Sequence, residues 1–220
     1  MATHLESYAF HSPEHGKTFT LDIVEGLDGA HLDFIESDWD PALKRQYELA
    51  LLKFFELPDI EQTDDRAVQI LGDMAVQDRG WNWRNKCAIA PGTNRRVFGI
   101  LNGSEVEAAM LLLFGKTSRH APPAPIVYVD YVAVAPWNRA PIQTPQRFRG
   151  LGTVLLGKAV TVSHSSGLQG RCGLHSLPQS VGFYQKLGMT DLGADPAYQS
   201  LHYFEFTDTA AQQFLIWGIP

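Results

Sequence analysis

The stretch "RFRGLGTVLLGKA", residues 147–159, carries two overlapping anion-binding frames, and the choice between them decides the fold. Read from Gly152, it departs from a Walker A loop, G-x4-G-K-[ST], at its last position, Ala159. Read from Arg147, it is R-x-x-G-x-G, a glycine cradle for a pyrophosphate. Leu151, Val154, Leu155, Ala159 and Val162 fall on one helical face, so the segment is helix where a Walker loop has to wrap phosphate. Ala159 also has no oxygen to offer a metal ion. The dinucleotide fingerprint G-x-G-x-x-G fails too, because its third position is Leu155. What remains is a loop through Arg147, Gly150 and Gly152 that opens a helix at about residue 152. First-turn N–H groups lack intrahelical partners, glycines let a ligand approach the backbone, and two arginines add charge. A glycine turn with solvated arginines would use the same residues without a ligand.

Upstream, "PIVYVDYVAVA", 125–135, is almost continuously apolar and rich in valine, which predicts a central strand buried on both faces. Before it, "RRVFGIL" and "VEAAMLLLF" flank Asn102-Gly103, a hairpin signal. Downstream come a short strand in "GRCGLHS" and a helix in "LPQSVGFYQKLGM" that Gly188 ends. Ser176 and Gln179 there have capping-box spacing. "HYFEFT" reads as a last strand and "DTAAQQFLIWG" as a closing helix. Toward the N-terminus, "TFTLDIV" predicts a strand, and "PALKRQYELALLKFFEL" and "DDRAVQILGDMAVQD" predict two helices. The tryptophans of "GWNWRN" either line a pocket or fill the core. The expected class is α/β with α+β character: a central mixed sheet flanked by helices. One domain spans 1–220, with a helical N-terminal elaboration in 1–94, a core in 95–206 and a C-terminal helix in 207–220.

Composition fits a soluble globule, at 45% hydrophobic and 19% charged residues. No apolar run approaches the roughly 20 residues of a membrane span. The first residues lack a signal-peptide pattern, and Cys87 and Cys172 form no disulfide framework, so a cytoplasmic location is expected. A net charge of −6 with no basic face argues against a nucleic-acid partner. No metal-ligand spacing is present.

A buried strand ending "YVAVAP", then R-x-x-G-x-G opening a helix, then a strand, then "GFYQKLGM" resembles the acetyl-CoA core of the GNAT superfamily of N-acyltransferases. The resemblance covers about residues 95–206. It implies that main-chain groups of Val132, Ala133 and Val134 hold the pantetheine arm like a neighbouring strand. It puts the pyrophosphate on the amides of Phe148, Arg149, Gly150, Leu151, Gly152 and Thr153, with Arg147 at the family's Gln/Arg position. Tyr184 matches the tyrosine that protonates the departing thiolate. The chain departs from the family in a link between Pro136 and Arg147 that is about seven residues longer than usual. It departs again in "HSLPQS", where many relatives carry an asparagine.

The base that deprotonates the acceptor is less sharply marked. Asp130 is the one acid of the buried strand, and it is either paired with an arginine or functional; His175 is a second candidate. The resemblance implies an acetyltransferase that moves an acetyl group from acetyl-CoA to a primary amine by direct attack in a ternary complex, without metal. The alternative is a non-catalytic acyl-CoA-binding module of the same fold. The implied partners are a small-molecule or peptide amine, with no nucleic acid and no membrane, and a homodimer is allowed.

Overall fold

One parallel strand pair opens the sheet of this protein. The computed structural model describes residues 1–88 and 94–217. Strands β1 (Thr3–Ser12) and β2 (Lys17–Glu25) lead into α1 (Gly29–Phe34), a π-turn over Ile35–Trp39 and α2 (Asp40–Phe55). Helices α3 (Asp64–Asp73) and α4 (Trp83–Cys87) precede strands β3 (Arg95–Asn102), β4 (Glu105–Thr117) and β5 (Pro125–Val134). Then come α5 (Leu151–Ser165), β6 (Cys172–Ser176), α6 (Val181–Lys186), β7 (Thr190–Asp195), β8 (Leu201–Phe206) and α7 (Asp208–Trp217). Residues 218–220 of the expected C-terminal segment lie outside the described residues. The strands form one sheet in the order β1-β2-β3-β4-β5-β6-β8-β7.

Every neighbouring pair in that order is antiparallel except β5 and β6. The expected mixed α/β class is therefore the observed one. The hairpin at Asn102-Gly103 is present, with Asn102 opposite Glu105 and Gly103 at φ +62°. β5 and β6 pair only from Val127 opposite Cys172 to Val129 opposite Leu174. Beyond that point the two strands diverge.

Two faces of the sheet are filled differently. On one, Leu21, Phe98, Met110, Val129 and Phe204 pack against Leu155 and other residues of α5, and against Phe214 of α7. On the other, Val24, Leu101, Val106 and Ala133 pack against Trp39 and Trp83 of the N-terminal helices. Trp39 also donates its indole N–H to Val106 O at 2.9 Å. Of the tryptophans in "GWNWRN", Trp83 is core.

The N-terminal part is not only a helical elaboration, because β1 and β2 extend the sheet on the β3 edge. β1 is an edge strand that buries only Phe10 and Ser12, so it lacks the alternating apolar signal. β7, the opposite edge, is polar and irregular, with Gly193 at φ +88° and a register shift against β8. The capping box of Ser176 and Gln179 does not form. A 3-10 turn over Pro178–Ser180 precedes α6, and Ser176 Oγ donates to Leu177 O instead.

Candidate functional site

Where β5 and β6 part, a cleft of about 790 Å³ opens, bounded by β5, the start of α5, α6 and the 138–146 loop. Its β5 wall has unpaired main chain for a definite reason. Ala135 N–H donates to Glu107 O on β4, so by strand alternation Val132 and Val134 turn their main-chain groups the other way, into the cleft. Ala133 faces β4 instead, which removes it from the three residues expected to hold a ligand through their backbone. The Val134 carbonyl is also occupied, by Arg139 Nε at 3.0 Å and Nη2 at 2.8 Å. Val132 and the Val134 N–H remain.

The glycine loop divides in the same way. Gly150 takes the left-handed conformation, φ +82°, at the N-cap of α5, where any other residue would be strained by about 1–2 kcal/mol. The first intrahelical bond runs from Val154 N–H to Gly150 O. The amides of residues 150–153 therefore have no main-chain partner among the described residues, and all four residues line the cleft. Phe148 does not contribute its amide as expected, because that N–H donates to Asn138 Oδ1 at 2.8 Å.

Arg147 does not face the ligand cleft as the resemblance implied. Its guanidinium turns away from the cleft to Glu105 and Glu107, and it lies over the Trp137 ring at 4.8 Å. Glu107 is fully buried and also accepts from Trp137 Nε1 and Asn138 Nδ2, so Arg147 balances a buried carboxylate. Arg149 is exposed and donates to Gln146.

Tyr184 lines the cleft from α6 and is buried between Phe183 and Phe204. Burial alone raises its pKa, so the phenol stays protonated at neutral pH. Asp130 sits where β5 bulges against β4, between the Val129 and Tyr131 pairings. It lines the cleft half-buried, and it makes no ion pair within 4 Å among the described residues. Burial raises its pKa, opposed by the more distant Arg95, Lys86 and Lys116. The arginine-paired reading of Asp130 is therefore not what the structure has.

Three arrangements at the cleft depend on partners distant in sequence, and in the first of them Trp81 lines the cleft, the pocket reading of the "GWNWRN" tryptophans. Trp81 packs edge-on against Tyr131 at 4.8 Å, and the Lys86 ammonium lies 3.2 Å from the centre of the Tyr131 ring. Gln77 and Gln179 each donate a main-chain N–H to the other's side-chain oxygen, at 3.1 and 2.9 Å, tying the segment after α3 to the turn before α6. His175, the second base candidate, is bonded at both ring nitrogens: Tyr128 Oη is 2.7 Å from Nδ1, and Asp195 Oδ2 is 2.9 Å from Nε2. Among the described residues no group of three His, Cys, Asp or Glu side chains could hold a metal ion, and no helix is long and apolar enough to cross a membrane.

No family model and no curated protein matches the chain. Solved structures do. PaiA N-acetyltransferase from Thermoplasma acidophilum, in complex with coenzyme A, is similar at 13% identity and a TM-score of 0.46, over 84% of this chain and 97% of that one. A mutant AtaT toxin bound to acetyl-CoA and the C-terminus of its antitoxin AtaR gives 17% and 0.43, over 54% and 71%. AtaT complexed with acetyl-methionyl-tRNA gives 15% and 0.43, over 63% and 79%. These proteins are of the class that the sequence resemblance named, but at such TM-scores the likeness assigns this chain no activity. One expectation is withdrawn because of them. A similar protein holds a tRNA, so the exclusion of nucleic acid and the restriction to a small-molecule or peptide amine do not stand. Net charge is an average over the surface and does not describe a local patch.

Proposed function

We propose that this chain is an N-acetyltransferase of the GNAT type, moving an acetyl group from acetyl-CoA to a primary amine. The observation that carries this reading is the parting of β5 and β6. It leaves Val132 and the Val134 N–H unpaired along one wall, opposite the free amides of residues 150–153 at the start of α5. An extended amide-containing arm with a pyrophosphate at one end fits that pairing of an open strand edge and a helix N-terminus. In this reading the amine nitrogen attacks the thioester carbonyl and the C–S bond breaks. Asp130 takes a proton from the amine, and Tyr184 gives one to the departing thiolate. The alternative, a non-catalytic acyl-CoA-binding module, shares the binding half of this account.

Acetyl-CoA at a hundredfold over its Kd is expected to stabilise the fold by about 2.7 kcal/mol, which raises Tm by roughly 5–10 °C in a chain of this size. Thiol release from acetyl-CoA is then followed with a panel of alkyl amines, a lysine peptide and an aminoacyl-tRNA. A melting shift with ATP–Mg²⁺ and none with acetyl-CoA would sink the reading. Binding with no thiol release across the panel would leave the module.

Gly152 supplies a second check. A Cβ built there would stand 3.3 Å from Phe183 Cζ, so Gly152 admits the Phe183 ring of α6 against the first turn of α5. Gly152→Val is expected to push that ring into the cleft and weaken acetyl-CoA binding by about tenfold or more, which is about 1.4 kcal/mol. Unchanged affinity in calorimetry would mean that the ring yields elsewhere and that the pyrophosphate is not held there.

A further inference from the structure

The N-acetylation just proposed removes two protons from an ammonium nitrogen, and a single carboxylate can take only one. We propose that Tyr128, backed by His175 and Asp195, is the second proton acceptor of the cleft. This inference rests on the acetyltransferase reading and deepens it. Tyr128 and His175 both line the cleft, on the same stretch of wall as Asp130.

The direction of each hydrogen bond follows from the groups involved. Asp195 is held near pKa 2, chiefly by the Arg119 guanidinium and then by His175, so its carboxylate only accepts. His175 Nε2 lies 3.4 Å from Arg119 Nη2, which can only donate, and 2.9 Å from Asp195 Oδ2, which can only accept; the carboxylate is the nearer partner, so Nε2 carries the hydrogen and shares it with Asp195. In a neutral imidazole that leaves Nδ1 as a lone pair, and Tyr128 Oη–H donates to it across 2.7 Å. With its hydrogen committed to His175, the Tyr128 oxygen keeps its lone pairs for an incoming N–H. The imidazole cannot swing out of line. Tyr198 is stacked on it at 3.9 Å and 10°, and Tyr203 lies at 4.8 Å.

The surroundings keep His175 neutral in the resting state. Burial lowers its pKa first, and Arg119 and Lys116 lower it further, against the pull of Asp195. From β8, Tyr203 packs against the imidazole with Arg119 over its ring, and Glu205 accepts from the Arg119 main-chain N–H. The remaining nearby acid on β5 is Asp130.

The proton balance closes. The acceptor loses one proton to Asp130 and becomes a free amine, which forms the C–N bond. The attached nitrogen loses its second proton to the Tyr128 oxygen as Tyr128 passes its own to His175 Nδ1, making an imidazolium beside the Asp195 carboxylate. Tyr184 protonates the thiolate. One of the two collected protons restores Tyr184 and the other leaves to water.

Two readouts test this. In the resting protein, ¹⁵N NMR of the ring should show His175 as the Nε2–H tautomer, titrating below the usual imidazole range. An Nδ1–H tautomer, or an imidazolium at pH 7, would overturn the proposal whether or not any acceptor is found. With the panel amine that turns over fastest, the acid limb of kcat/KM should fall with two protons in the native protein. It should fall with one in Tyr128→Phe and His175→Gln, with kcat lowered about 10²-fold and acetyl-CoA affinity unchanged. Tyr128→Phe keeps the ring and serves if His175→Gln fails to fold. A two-proton limb that persists in an active Tyr128→Phe variant overturns the relay alone. Failure of the native protein to bind acetyl-CoA overturns the acetyltransferase reading instead.

Discussion

Tyr184→Phe is expected to lower kcat by 10²–10⁴-fold while leaving acetyl-CoA affinity and thermal stability near their native values. The ring keeps its place because its contacts are aromatic: Phe183 at 5.2 Å and Phe204 at 5.7 Å between centroids. No charged neighbour contributes to its raised pKa, so removing the hydroxyl orphans no ionic partner. In the proposed reaction, what is lost is the protonated donor to the departing thiolate. Because the proton moves only as that bond breaks, the loss belongs in kcat and not in KM for acetyl-CoA. Poorer leaving groups should suffer most. If the phenylalanine variant turns over at the native rate with chemistry limiting, Tyr184 is a core tyrosine and the acid is water or another side chain. The raised pKa also sets a sign for pH: the phenol stays protonated beyond its ordinary range, so no loss of the acid is expected as pH rises from 7 to 9.

The site was legible where chemistry and periodicity are written locally. The change from loop to helix at Gly150, the strand of β5 and the hairpin at Asn102-Gly103 each depend on neighbours within a few residues and each is present, although β5 is continuously buried only over residues 126–129 and beyond that lines the cleft. Tyr184, which only the family resemblance marked, and Asp130, the one acid of the buried strand, both line the cleft. What could not be read is set by partners distant in sequence. Arg147 looked like an anion-binding arginine because no local rule reveals that Glu107, forty residues earlier, is buried and needs a cation. The Phe148 amide looked free because Asn138, which takes it, sits in a loop without a periodic pattern. The edge strands β1 and β7 escaped because an edge exposes its side chains on both faces and so loses alternation. Tyr128, His175 and Asp195 come from three strands, and only the sheet order brings them together.

Arg139→Met is expected to cost about 3–5 kcal/mol of stability, because it breaks a buried ion pair by removing one partner. Arg139 and Asp78 are both buried, at 8% and 6% side-chain exposure, and meet through two parallel bonds of 2.7 and 2.8 Å. Methionine keeps the length of the arginine stem and removes the charge, which leaves the Asp78 carboxylate in the interior with no cation. Two carbonyls lose their donors as well: Ala75 O, held at 2.8 Å, and Val134 O, held twice. Ala75 is a non-glycine residue in the left-handed region, φ +55°, just past the end of α3, so Arg139 also holds a strained helix end in place. The pair thus fastens the end of α3 to the last residue of β5 across the mouth of the cleft, and it does so from within the long 136–147 link. Thermal unfolding of Arg139→Met, Asp78→Leu and the double variant separates the terms. If the buried charge dominates, the double variant should recover most of the loss, because neither partner then remains unpaired. If it unfolds as readily as Arg139→Met, the cost lies in the carbonyls of Ala75 and Val134. In that case the link is held to β5 by its hydrogen bonds to main chain, and the ion pair serves to aim them.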